Sequence, residues 1–303
     1  MSADNKLIKD ISRLKAERRA VILAHNYQRG EIQDIADFVG DSLELAQQAA
    51  ATEAPVIVFC GVHFMAETAY MLAPDRIVLL PVAEAGCPMA DMITADQLRA
   101  KKAELPGVPV VCYVNSSAGV KAESDICCTS ANAVRVMESL PGDEVIFVPD
   151  RYLGQWLASQ TGKKIHLWPG FCPTHARILP EHIIRLKSAY PLARVVVHPE
   201  CRPETAALAD AVLSTGGMIR YARRDDVNQL ILGTETGIIH RLQKENPGKE
   251  FIPANDMAVC PNMKLTGLQD VYYALENMEP KVRVDVDICR RARISVERML
   301  KVG

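Results

Sequence analysis

The chain has 303 residues, 49% hydrophobic and 24% charged, with a formal net charge of −2. That is enough apolar material for two or three units with buried cores. The charge is too balanced for a nucleic-acid protein, which needs clustered Lys and Arg, and the short basic stretch at 290–293 reads as a solvated helix face. No apolar run approaches the about 18 residues of a membrane span, and no basic-then-apolar leader opens the sequence. Nine cysteines without a secretion signal then fit a reducing cytoplasm, where thiols stay free or bind metal.

Leu7, Ile8, Ile11 and Leu14 recur at helical spacing, so the segment up to Arg19 is expected to be an amphipathic lead-in helix. From Ala20 onward short β-branched runs alternate with helical segments, the pattern of parallel α/β structure. The first unit reads as a strand at 20–24 ending in His25-Asn26-Tyr27, helices at 31–38 and 42–51, a strand at 56–60, a helix at 63–72 and a strand at 76–80 closed by Pro81. Thr94 with Gln97 forms a capping box for a helix through Glu104. The second unit continues with a strand at 109–114, a helix at 131–140 capped by Thr129-Ser130, and strands at 144–148 and 164–168, the last closed by Pro169. The third has a strand at 194–197, a helix at 204–213 started by Pro203, and strands at 218–221 and 250–252, closed by Pro253.

Shortly after each closing proline comes a Cys-Pro pair, at Cys87, Cys172 and Cys260, the three lying 85 and 88 residues apart. None of the other six cysteines precedes proline. The composition predicts about 0.5 such pairs by chance, so three need another cause. Equivalent first-strand positions recur at the same interval. The expected fold is therefore α/β, with three pseudo-equivalent three-layer αβα domains, each a short parallel sheet, around a central active site. The expected domains are 1–86 (with the lead-in helix), 87–171 and 172–259, followed by 260–303, which holds the last cysteine of the trio and a C-terminal segment.

Parallel sheets bind ligands beyond the carboxyl ends of their strands, and right-handed crossovers bring each unit's loops to that edge. Three thiolates converging there suit a metal or an iron–sulfur cluster with one position left open. No Cys-x-x-Cys occurs, which argues against a zinc ribbon or thioredoxin-like site. Cys60 and Cys112 lie inside expected strands and read as small buried hydrophobes. Cys127, Cys128 and Cys201 are expected in loops near strand ends, and Cys289 in the C-terminal segment.

Polar residues follow the first strands at matching points: His25 and Tyr27, Tyr113 and Asn115, His198 and Glu200. Glu200 and the histidines suit proton transfer, and the tyrosines suit hydrogen bonding to a developing oxyanion. Ser42, Ser130 and Thr215 lie at chain reversals where backbone N–H groups can meet an anion; plain helix capping explains each equally well.

The segments HNYQ (25–28), GDSLELA (40–46), EAGCPMAD (84–91), YVNSSA (113–118), GFCPTH (170–175), HPEC (198–201), STGGM (214–218) and CPNMKLT (260–266) resemble those of the quinolinate synthase family, in the same order. The resemblance implies a 4Fe–4S cluster on Cys87, Cys172 and Cys260, with one iron open as a Lewis acid. It implies condensation of iminosuccinate with dihydroxyacetone phosphate to quinolinate, phosphate and two waters, on the route to NAD. An L-aspartate oxidase or aspartate dehydrogenase would supply the imine. Carried over by motif, the substrates would be held by His25, Ser42, Tyr113, Val114, Asn115, Ser130, His198, Pro199, Glu200 and Thr215. Glu200 would be the acid–base residue, with Tyr27, His198 and Tyr113 also catalytic. Some members carry a C-terminal Cys-x-x-Cys tied to disulfide control; here only Cys289 stands in that region. Two other readings of a three-thiol cluster are an aconitase-type hydro-lyase, which usually uses a Cys-x-x-Cys, and an iron–sulfur redox sensor, which does not need the matched polar set.

Overall fold

A computed structural model describes residues 3–302; residues 1, 2 and 303, the outer limits of the expected first and last segments, lie outside the described residues. Among the described residues twelve strands form three sheets: β1 (Ala20–His25), β2 (Phe38–Gly40), β3 (Val56–Cys60) and β4 (Ile77–Leu79); β5 (Val110–Tyr113), β6 (Ile126–Cys128), β7 (Glu144–Val148) and β8 (Lys164–Leu167); β9 (Arg194–Val197), β10 (Ala211–Val212), β11 (Gln229–Gly233) and β12 (Glu250–Pro253). Each sheet is parallel and has the same order: second strand, first, third, fourth. The fold is thus three repeats of one α/β unit, as expected, with four strands per sheet instead of three.

A repeated side-chain device marks the equivalence. Asp37, Asp125 and Asp210 each stand just before a unit's second strand and accept the backbone N–H of Ile22, Val110 and Val195, at 2.8, 2.7 and 2.7 Å. Each pair is 15 residues apart in sequence. The aspartate's own N–H returns to the carbonyl of that same residue. The reciprocal pair holds the short outer strand in register against the central one, where ladder bonds are few.

Several elements differ from expectation. Residues 218–221 lie in the helix Thr215–Ala222, capped by Ser214, whose hydroxyl accepts from the Gly217 N–H at 3.1 Å. The third unit's corresponding strand is β11. Short apolar runs fit a buried strand and a buried helix equally well, and local periodicity cannot separate them. The helix expected at 31–38 ends at Ile35, and Phe38 begins β2. The helix expected at 204–213 is the single turn Pro203–Ala206 followed by β10. The helix at 131–140 shortens to Ala133–Ser139, because the segment 129–132 closes on itself: Asn132 Oδ1 accepts from the Thr129 N–H and Thr129 Oγ1 from the Ala131 N–H. Cys127 and Cys128 are fully buried in β6, not in a loop. Cys60 and Cys112 are fully buried in strands, as expected. The helices Ser42–Ala51 and His63–Leu72 stand where the pattern puts them.

The helices Ala3–Arg18 and Leu268–Asn277 cover the outer face of the first sheet, burying Ile11, Leu14, Val271 and Leu275 against Ile22 and Val58. The C-terminal helix Val286–Val302 returns to the second unit and packs on β6 and the helix Ala118–Ala122. A separate apolar cluster, built on Val195, Val197 and Ile231, lies under the outer face of the third sheet. The largest core cluster joins residues of all three units.

Candidate active site

The carboxyl ends of the three sheets meet at one cavity of about 520 Å³ of atom-free space, part of it open to solvent. His25 ends β1 and Tyr27 follows it, Ser42 opens the helix after β2, Asn115 follows β5, Glu200 follows β9 and Glu235 follows β11. Cys87, Cys172 and Cys260 come in on the loops after β4, β8 and β12. The three sulfurs thus reach one space through three equivalent connections.

Each Cys-Pro pair begins the same local turn. The proline fixes φ, and a 3₁₀ turn follows at Ala90–Met92, His175–Arg177 and Asn262–Lys264. The N–H three residues after each cysteine (Ala90, His175, Met263) then acts on its sulfur as a backbone donor. Those donors favour the thiolate, but burial dominates and pushes all three thiols up, Cys87 to about 12. Negative charge from Glu200 and mutual repulsion between the thiols add to the rise at Cys87 and Cys172. Three soft donors that repel one another when ionised are what a cationic metal centre stabilises. The residues present therefore fit such a group.

Glu200 sits at the centre, 3% exposed. Tyr113 Oη donates to its Oε1, and His175 Nδ1 lies 2.8 Å from its Oε2. Burial opposes ionisation, but His175 and the hydrogen bonds from His175 and Tyr113 outweigh it and hold the carboxyl well below its usual range. His198 adds to the lowering as well, because its ring, brought by burial to a pKa of about 3, is charged at the low pH where Glu200 would titrate. The tyrosines behave oppositely: burial first, and then Glu200, push Tyr27 and Tyr113 well above the ordinary phenol range, so both keep their protons.

Two histidines share one arrangement. His25 Nδ1 accepts the Tyr27 N–H at 3.1 Å, and His198 Nδ1 accepts the Glu200 N–H at 3.4 Å. With Nδ1 occupied as an acceptor, the neutral ring carries its proton on Nε2. Burial keeps His25 neutral too, at about 3, with His198 as the next cause. His198 Nε2 faces Ser130 Oγ at 3.1 Å. Both rings are thus uncharged N–H donors at neutral pH.

His175 ties the parts together. Its Nδ1 lies 3.2 Å from the Cys172 sulfur, its Nε2 is 2.9 Å from Thr234 Oγ1, and its ring stacks on His198 at 4.7 Å. Thr234 in turn bonds the Tyr27 hydroxyl. A continuous path therefore runs Tyr27–Thr234–His175–Glu200–Tyr113. Donor atoms of Cys172, His175 and Glu200 all lie within 4.8 Å of one another.

Of the remaining expected residues, Val114 lines a smaller recess next to the cavity with Ser42 and Phe64, and Pro199 is buried in the turn between His198 and Glu200. Ser130 and Thr215 do not line the cavity: among the described residues Ser130 meets the group through His198, and Thr215 is held by Asn26, whose Nδ2 donates to its Oγ1 at 2.9 Å. Asn115 Oδ1 is buried without a protein partner at the cavity wall, an acceptor free for a ligand.

Sequence reasoning misses His175, Thr234, Glu235 and Lys264 as site residues. Glu235 is fully buried; its Oε1 accepts the Cys260 N–H at 3.1 Å, and its Oε2 accepts the Gly237 N–H at 2.7 Å. Lys264 Nζ pairs with Glu235 Oε1 at 3.0 Å and bonds the Tyr27 carbonyl, so the Cys260 loop is tied to the third and first units at once. A correct placement of β11 points to Thr234 and Glu235, the residues immediately after it. His175 stands three residues after Cys172, a metal-ligand spacing in itself.

Residues 9–301 match the family model described as quinolinate synthetase A protein. The chain is 64% identical to the quinolinate synthase of Dehalococcoides mccartyi over 96% of its own length and 97% of that protein. It is 57% identical to that of Geotalea uraniireducens, covering 97% and 96% of the two chains. It is 58% identical to that of Methanoregula boonei, covering 97% of each.

Proposed function

The chain belongs to the quinolinate synthase family, and we propose that it condenses iminosuccinate with dihydroxyacetone phosphate to quinolinate, phosphate and two waters, in NAD biosynthesis. The observation that carries this reading is the meeting of three Cys-Pro thiols with Glu200 and His175 in one cavity, with Tyr113 hydrogen-bonded to Glu200. Cys87, Cys172 and Cys260 would hold a 4Fe–4S cluster, which when bound supplies a Lewis-acidic iron for a departing hydroxyl.

The chain's own groups account for the rest. Both substrates are anionic, and the Nε2–H groups of His25 and His198 with the hydroxyls of Ser42, Ser130 and Thr215 would bind their carboxylate and phosphate oxygens. Val114, Asn115 and Pro199 complete that wall. Glu200, ionised at neutral pH, takes a proton at Oε1 or Oε2 from a substrate carbon or nitrogen. Once Glu200 is protonated, the Tyr113 O–H is released from Oε1 and donates to an oxyanion, and the path through His175 and Thr234 to Tyr27 returns the proton. The apolar wall of Val62, Phe64 and Met65 limits water around these groups.

The division into units at 1–86, 87–171 and 172–259, with 260–303 as the closing segment, belongs to the same reading, as does a reducing cytoplasmic setting. So does supply of the unstable imine by an L-aspartate oxidase or aspartate dehydrogenase. The test is an anaerobic assay for quinolinate with imine generated in place and dihydroxyacetone phosphate added. Quinolinate formation dependent on both substrates is expected; an iron-loaded protein forming none would leave the hydro-lyase or sensor readings.

A further inference from the structure

Asn26 and Arg241 stand behind the cavity and have no role in the chemistry above. Asn26 follows β1, is fully buried, and lies between the first and third units. Its Oδ1 accepts from Arg241 Nη1 at 2.9 Å, and its Nδ2 donates to Thr215 Oγ1 at 2.9 Å. Arg241, on the third unit's helix Ile238–Glu245, also donates to the Val39 carbonyl of β2 at 2.6 Å, and its Nε is held by Glu245 Oε1 at 2.6 Å.

Donor and acceptor bookkeeping fixes what this chain of bonds does. A guanidinium can only donate, so the Asn26 atom facing it must be the amide oxygen. The NH₂ group then faces Thr215, whose oxygen can only accept from it. The Thr215 hydroxyl proton must therefore point away from Asn26. Among the described residues that hydroxyl has no other hydrogen bond. Thr215 is also the first residue of its helix, where free backbone N–H groups favour an anion.

We infer that Arg241 and Asn26 are positioning residues that set the donor polarity of Thr215, keeping its O–H free for an anionic oxygen of the substrate. This rests on the reading of Thr215 as a substrate contact. The clip spans the third and first units, so the hydroxyl is presented only when those units are seated together.

Asn26→Asp tests it with almost no change of shape. The carboxylate still accepts from Arg241 but cannot donate, so it captures the Thr215 proton and reverses the polarity. The measurement is anaerobic titration calorimetry of the cluster-loaded enzyme with quinolinate and with dihydroxyacetone phosphate, together with kcat and KM. Thr215→Val is expected to weaken binding of one of the two ligands roughly tenfold, the effect of losing a hydrogen bond to a charged group. Asn26→Asp should weaken the same ligand by a similar factor with little change in kcat, and the double variant should be no weaker than Thr215→Val alone. Arg241→Met, which frees the amide to turn, should follow the same cycle with a smaller factor, and it serves if Asn26→Asp does not fold. Losses that multiply in the double variants overturn the polarity role while Thr215 stays a substrate contact. Unchanged affinity for both ligands in Thr215→Val overturns the substrate contact itself.

Discussion

Glu235→Gln removes one charge and one acceptor oxygen from a fully buried site that anchors the Cys260 loop. The carboxylate serves three donors: the Cys260 N–H, the Gly237 N–H and Lys264 Nζ. Glutamine keeps one oxygen and adds an NH₂ that must face one of those donors. Breaking a buried ion pair by removing one partner costs about 3–5 kcal/mol. Lys264 keeps the Tyr27 carbonyl, and its side chain is 20% exposed, so the lower end applies. An unpaired backbone N–H adds about 1 kcal/mol or more. The expected loss is thus about 4 kcal/mol, read from the urea midpoint of the apoprotein. Iron release to a chelator should also speed up, because the loop holding Cys260 has lost its tether. Adding Lys264→Met to Glu235→Gln removes the orphaned cation and should recover part of the stability. A loss below about 1 kcal/mol, or a double variant as costly as the two single ones added, would refute the anchoring role.

Acid should destabilise the apoprotein through His25 and His198. Both are depressed to about 3 in the folded state, against about 6.5 unfolded, so the unfolded chain binds protons that the folded one refuses. Stability is full above pH about 6.5 and falls as pH drops toward 3, by about 2 kcal/mol per histidine at pH 5. Replacing both by Asn should flatten the urea midpoint between pH 7 and 5; an unchanged slope would contradict the burial account. Glu200→Gln keeps the thiols and should retain iron while kcat falls by about 10² or more, and retained turnover would remove Glu200 from proton transfer. Thr234→Val removes the threonine relay between Tyr27 and His175 and leaves only their direct contact at 3.4 Å, without touching Glu200, so it should lower kcat with the iron content unchanged; wild-type kcat would show that the threonine relay carries no needed proton.

The repeat is legible in the sequence because strands with β-branched runs, closing prolines and Cys-Pro turns are local signals. The rule that parallel sheets place ligands at strand carboxyl ends is enough, with those signals, to single out His25, Tyr27, Tyr113, Asn115 and Glu200. The outer strands β2, β6 and β10 are only two or three residues long, and they exist through pairing with a neighbour and the Asp37, Asp125 and Asp210 clasps. Nothing in such short runs distinguishes them from helix ends or loops. Reading 218–221 as the strand in place of β11 has one cause and several effects. It hides Thr234 and Glu235, and with them the path from Tyr27 to His175 and the anchor of the Cys260 loop. Cys127 and Cys128 read as loop residues for the same reason that β6 escapes notice.

The three Cys-Pro thiols, and no others, are proposed to hold an iron–sulfur cluster. Iron and sulfide analysis of anaerobically purified protein tests it, with Cys87→Ala, Cys172→Ala, Cys260→Ala and Cys60→Ala compared side by side. About four irons and four sulfides per chain are predicted for the unaltered protein and for Cys60→Ala, with the cluster lost in each of the other three. A colourless protein carrying zinc without iron, or iron lost equally from Cys60→Ala, would contradict it.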